Sequence, residues 1–150
     1  MKKLALASAL ALTSLFTVPA QAVNDSASVP VTVALTSKCV FGAVPTLAFV
    51  YTSFQVAASQ PTSLFNVKCT NTLAYTVGFT SGASPSATDS ATDTATNLAY
   101  TLALSSTVGP GTGVDKPYTI TGTMAANQAG TCATATCSGT NAARTVYVWY

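Results

Sequence analysis

Residues 28–39 read "SVPVTVALTSKC". Val29, Val31, Val33 and Leu35 take alternate positions, Pro30, Thr32 and Ala34 lie between them, and Cys39 closes the stretch. A period of two is that of a β-strand with one apolar edge. No tight turn follows to lay the strand back on a neighbour. On these residues alone two readings stand: an ordinary first strand of its own domain, or a strand that pairs with a different molecule.

Upstream, Lys2 and Lys3 precede an apolar core, "LALASALALTSLFTV" (4–18), and the small residues "AQA" (20–22). That order is a secretory signal peptide, expected to cover residues 1–22 with cleavage before Val23. Its core is shorter than the roughly 20 residues that cross a bilayer, and no later stretch is long and apolar enough to span one. The mature chain is expected to be exported, with a segment 23–37 leading into one domain, 38–150. Its charges are Lys38, Lys68, Lys116 and Arg144 against Asp25, Asp89, Asp93 and Asp115, a formal balance of zero. Nothing here forms the basic stripe that neutralises phosphates, so nucleic acid is not an expected partner.

Cys39, Cys69, Cys132 and Cys137 in an exported chain point to two disulfides. Three pairings are possible, and Cys39–Cys69 with Cys132–Cys137 is favoured. The first would close a long loop and restrict the unfolded chain by about 3–4 kcal/mol, the second a tiny one, "CATATC", with a smaller effect. The chain has no His, and with export that argues against a zinc site. No metal and no cofactor is expected.

Apolar runs recur between turn-like stretches: "LAFVYTSFQVA" (47–57), "SLFNVKCT" (63–70), "LAYTVGFTSG" (73–82), "NLAYTLALSS" (97–106), "PYTITGTM" (117–124) and "RTVYVWY" (144–150). Thr, Val, Tyr and Phe dominate them, Glu is absent, and no 3.6-residue stripe follows the signal. The chain reads as all-β, with the strand spacing of a sandwich. "SATDSATDTATN" (86–97), nearly a four-residue repeat, reads as a flexible hairpin loop in preference to a binding loop or a glycan-bearing segment. "GPGTG" (109–113) and "CATATC" (132–137) read as further loops.

Six runs follow Cys39, where an immunoglobulin-like sandwich has seven strands. The expectation is an incomplete immunoglobulin-like β-sandwich lacking its last strand. It would have a groove between its sheets and a free edge along Thr145, Val146, Tyr147, Val148, Trp149 and Tyr150. On that strand Tyr147 and Trp149 face opposite to Val146, Val148 and Tyr150. One set should line the groove, and alternation alone does not say which. Catalysis is not expected. Without His or Glu no Ser-His-Asp or Cys-His arrangement forms, and the four aspartates lie in the leading segment or in polar loops.

Taken in order, these pieces resemble one family. The alternating Val29, Val31, Val33 and Leu35 stand just before Cys39. Then come "LAF" (47–49), the second cysteine in "VKCT" (67–70), "YTVGFTSG" (75–82) and "LAYTL" (98–102). "TGTMAANQAG" (121–130) and an alternating final strand, "TVYVWY", follow. The chain is similar to the spore coat U domain family, which covers the pilin subunits of archaic chaperone–usher fimbriae. It departs from the pattern at Val50, where the family usually has Gly, at Arg144, where an acidic residue is common, and in lacking a Trp-Gly element. Cys132 and Cys137 look like an insertion. These departures bear on the subunit type rather than on the fold.

The resemblance implies donor-strand exchange. A periplasmic chaperone lends the missing strand during folding. At the outer-membrane usher, the N-terminal extension of the next subunit takes its place. Neighbouring pilin subunits then form a head-to-tail homo- or hetero-polymer. The donor strand would be Val29, Val31, Val33 and Leu35. The expected product is a surface fimbria serving adhesion or biofilm formation, reached through the periplasm, and its subunit is no enzyme. A fimbrial tip adhesin, with Tyr51 or Phe54 exposed, or a secreted spore or cyst coat protein are the alternatives. One domain and a donor extension favour a shaft or adaptor subunit over a tip.

Overall fold

A computed structural model of the chain describes residues 24–80, 85–139 and 143–150. The expected signal peptide, 1–22, lies outside the described residues. The chain divides into two units, Met1–Ala34 and Leu35–Tyr150. In the first, residues 24–34 are exposed and form no strand.

The second unit is all-β, with no helix among the described residues. Its strands are β1 (Cys39–Phe41), β2 (Thr62–Cys69), β3 (Ala74–Gly78), β4 (Thr88–Thr92), β5 (Ala99–Leu104), β6 (Val108–Pro110), β7 (Lys116–Thr123) and β8 (Tyr147–Trp149). They form two antiparallel sheets, one ordered β1-β2-β7-β5-β4 and the other β6-β3-β8. This is an immunoglobulin-like β-sandwich.

The long strands form where alternation is strictest. Along β2, Ser63, Phe65, Val67 and Cys69 are buried while Thr62, Leu64, Asn66 and Lys68 are exposed. On β7, Tyr118, Ile120 and Gly122 take the inner positions. β2 and β7 meet from Thr62↔Thr121 to Val67↔Lys116, which sets Phe65 beside Tyr118, ring centroids 5.6 Å apart. Val77 of β3, Tyr100 and Leu102 of β5 and Met124 complete the core. Each fully buried aliphatic or aromatic side chain contributes about 1.5–3 kcal/mol.

One polar pair crosses that core. The buried Tyr118 hydroxyl donates to the Tyr75 hydroxyl at 2.8 Å. Burial, and then that hydrogen bond, push the Tyr118 pKa well above its ordinary value, so the phenol stays neutral. Replacing Tyr75 by Phe keeps the ring and removes the acceptor. The orphaned hydroxyl should cost about 1–3 kcal/mol, read as a lower urea midpoint with an unchanged slope. No change in midpoint would show that the pair contributes nothing.

Both disulfides form as favoured. Cys39 and Cys69 are direct cross-strand partners on β1 and β2, 4.1 Å apart at Cα, and Cys132 bonds Cys137.

Three strand expectations need correction. Residues 47–57 form no strand. Their aromatic content reads as β, but the backbone turns at Thr52–Gln55, where Phe54 has φ 63°. The hydrogen bonds of this stretch go to the 125–129 loop: Tyr51 Oη donates to the Ala125 carbonyl (2.7 Å) and accepts from the Gln128 amide (2.9 Å). Residues 86–97 are not wholly loop, because β4 pairs with β5 from Thr88↔Ala103 to Thr92↔Ala99. Thr88, Ser90 and Thr92 at alternate, exposed positions, two of them β-branched, suit an edge strand. "GPGTG" gives β6, with Pro110 on a sheet edge, where no ladder donor is needed. Among the described residues eight strands therefore replace the six runs counted after Cys39, and strand number is no measure of completeness here.

Candidate functional site

Two features of the Leu35–Tyr150 unit stand out. The first is the edge of the small sheet. β8 pairs with β3, Thr76↔Trp149 to Gly78↔Tyr147, and among the described residues no strand takes its other side. Such an edge presents a row of unpaired N–H and C=O groups. Val146 and Val148 pack against the core, which decides the question of faces. Tyr147 and Trp149 point the other way and stack, centroids 5.9 Å apart. The Trp149 Nε1 is buried and has no hydrogen-bond partner among the described residues. A buried donor in that state is uncommon.

The second feature is an apolar groove of about 720 Å³. Leu102 of β5, Ile120 of β7, Phe79, Met124 and Val146 line it. Leu47 and Phe49 come in from the irregular stretch after β1. Gly122 makes room for them, since a Cβ there would overlap both side chains. The Ser63 hydroxyl fastens the start of that stretch through the Pro45 carbonyl, 2.9 Å away.

The groove also has a charged margin, which strand periodicity did not reveal. Arg144 donates from Nε and Nη2 to the two carboxylate oxygens of Asp89 at 2.5 and 2.7 Å. The Arg144 hydrogen bond holds the Asp89 carboxyl below its ordinary value, against a smaller opposing effect of burial. A depressed carboxylate pKa adds stability at neutral pH that fades as the pH falls below about 4 and through the folded-state value. The pair is partly solvated, with side chains 37% and 22% exposed, so its contribution should stay under about 1 kcal/mol. Between pH 6 and pH 2.5 the wild-type chain should lose that much more stability than Asp89→Asn. Parallel pH curves for the two would show that the pair is energetically idle. Asp93 is buried, and its carboxylate accepts from the Thr96 amide at 2.8 Å and from the Thr96 hydroxyl.

Of the predicted site residues, the four cysteines pair as stated. Thr145 to Tyr150 surround β8, with Tyr147, Val148 and Trp149 in the strand itself. Val29, Val31, Val33 and Leu35 are 80, 79, 88 and 80% exposed. Tyr51 is half-buried, with its hydroxyl engaged, and Phe54 is exposed. Alternation offered no sign of Asp93, nor of Asp89 and Arg144, which pair across 55 residues.

Fold, disulfides and groove together define a small disulfide-bonded β-sandwich of the immunoglobulin-like kind. The chain belongs to the Spore Coat Protein U domain family, whose model matches residues 25–148. The match takes in the alternating segment before β1 as well as the sandwich. The family is one of structural, pilin-like domains associated with surface or secreted structures. Comparison with curated proteins and with solved structures returned no match.

Proposed function

We propose that this chain is a structural subunit of a chaperone–usher type fimbria that polymerises by donor-strand exchange, in the service of adhesion or biofilm formation. One observation carries the reading: four alternating apolar side chains, Val29, Val31, Val33 and Leu35, stand almost fully exposed in the stretch before β1. Water disfavours such a row, and a strand partner would bury it. The apolar groove and the unpaired side of β8 supply a partner of matching chemistry on another copy. A strand laid along β8 satisfies its backbone groups while alternate side chains enter the groove. Four burials at about 1.5–3 kcal/mol each amount to roughly 6–12 kcal/mol before ordering costs.

The contact is head to tail, with different surfaces on the two partners, so it propagates as a filament. Until a neighbour arrives, the groove and edge need cover, which is the role of a periplasmic chaperone. Ordered addition at an outer-membrane usher completes the path. The route begins with a signal peptide over residues 1–22, followed by the donor extension 23–37 and the pilin domain 38–150. The family description also fits a secreted coat built by the same chemistry.

The test is the state of the purified full chain. Size exclusion with light scattering should give a ladder of oligomers, and electron microscopy should show filaments. A compact monomer at every concentration, indifferent to an added peptide of residues 24–37, would refute the proposal.

A further inference from the structure

The disulfide-closed loop Cys132–Cys137 has no part in the core, yet Cys137, Ser138 and Gly139 line the groove beside Arg144 and Val146. The loop is stiff for its size, because its disulfide is joined by a hydrogen bond from Thr134 Oγ1 to the Thr136 carbonyl at 2.8 Å. Three contacts of residues flanking it lead to β4 and the turn after it. The Thr131 amide donates to the Thr96 carbonyl at 2.6 Å. Gly139 sits so close to the Asp93 carboxylate that a Cβ would overlap it. Arg144 grips Asp89 with two hydrogen bonds.

Asp89 and Asp93 are four residues apart, which on an extended strand places both on one side. The burial pattern agrees: Asp89, Ala91 and Asp93 are covered while Thr88, Ser90 and Thr92 are exposed. Asp89 on β4 and Asp93 just after it thus turn carboxylates inward: Asp89 binds Arg144, while Asp93, which accepts from Thr96, lies close against Gly139. The attachments are polar and few. Segments held in that way open at lower free energy than a packed core.

We propose that the Cys132–Cys137 loop, with Ser138 and Gly139, forms an adjustable wall of the groove, seated against Asp93 and flanked by the Asp89–Arg144 pair, and that this wall selects which donor segment enters. This rests on the donor-strand reading above. A stiff polar wall penalises a donor whose side chains do not fit, and discrimination of that kind works by exclusion. Loosening the wall should therefore speed entry and weaken selection together.

The experiment uses the full chain, in its monomeric fraction, and two labelled peptides. One spans residues 24–37, and the other is the same peptide carrying Val33→Thr. Uptake is followed by fluorescence anisotropy for the wild type, for Asp89→Asn, and for the double variant Cys132→Ala/Cys137→Ala, with circular dichroism reporting the fold of each. Asp89→Asn frees Arg144 and the double variant frees the loop, so loss of folding in one leaves the other to decide. Both folded variants should take up the native peptide about ten-fold faster than the wild type, within the range seen for association rates among variants of one interface. Their preference for the native peptide over V33T should fall by about three-fold. Folded variants with wild-type rates and wild-type preference would show the wall to be passive and overturn the inference. A wild-type chain that takes up neither peptide would instead sink the donor-strand reading, and this inference with it.

Discussion

A chain lacking residues 23–37 is expected to fold, to accept a donor, and to end every polymer it joins. The sandwich from Cys39 onward has its own core, centred on Phe65, Val67, Val77 and Tyr118. Removing an exposed leading stretch takes nothing from that core. The truncated chain keeps the groove and the open side of β8 and has nothing to give. Mixed with full-length chain, it should shorten filaments in proportion to its share, and alone it should form none. The energetic reason is the roughly 6–12 kcal/mol of gross apolar burial lost with the four side chains. Val31→Asp with Val33→Asp should act similarly, since each would carry a charge into an apolar groove at a cost of several kcal/mol. The readouts are filament length by electron microscopy and the oligomer ladder by size exclusion. Filaments of normal length from the truncated chain would show that assembly uses another surface. A truncated chain that cannot fold would make the segment an internal strand.

The second large effect concerns Cys39 and Cys69. Replacing both by Ala should lower stability by about 3–4 kcal/mol on the chain-entropy account of a cross-link closing a loop of this size. Their sequence separation is 30, against 5 for Cys132 and Cys137. The same account gives the shorter loop about 2 kcal/mol. Position widens the gap, because Cys39 and Cys69 are buried in the core while Cys132 and Cys137 are exposed. Urea midpoints of the two double variants should therefore differ clearly, with the Cys39/Cys69 pair the more damaging. Equal shifts would mean that β1 adds little to the folded state.

What could be read in advance followed the burial physics. β2, β5 and β7 bury alternate large side chains, so Phe65, Val67, Tyr100, Leu102, Tyr118 and Ile120 announce their strands. The β8 stretch was legible for the same reason, and export pointed to two disulfides, with the observed pairing the favoured one of three. Composition misled where residues pack without pairing. Leu47, Phe49 and Tyr51 have strand chemistry, but the first two lie over Gly122 and Tyr51 bonds to the 125–129 loop. It also misled where pairing needs no apolar face. "TDSAT" (88–92) presents only small and polar side chains, yet its backbone completes an edge of the large sheet. The charged margin of the groove was out of reach for a different reason. Asp89 and Arg144 look like isolated solvated charges until the topology brings an edge strand and the approach to β8 together.

The Cys39–Cys69 link also sets how the molecule bears load. Tension arriving along the leading segment of a fibre subunit meets Cys39 at the start of β1, a strand of three residues. Three residues of hydrogen bonding would peel. The sulfur bridge instead passes the pull directly into the end of β2, which is bonded on both sides, to β1 and to β7. The stretch between the two strands, residues 42–61, is bypassed. A filament of such subunits would be as hard to unravel as its covalent backbone at each leading end, and its weakest point would be the non-covalent seat of the donor in the next groove.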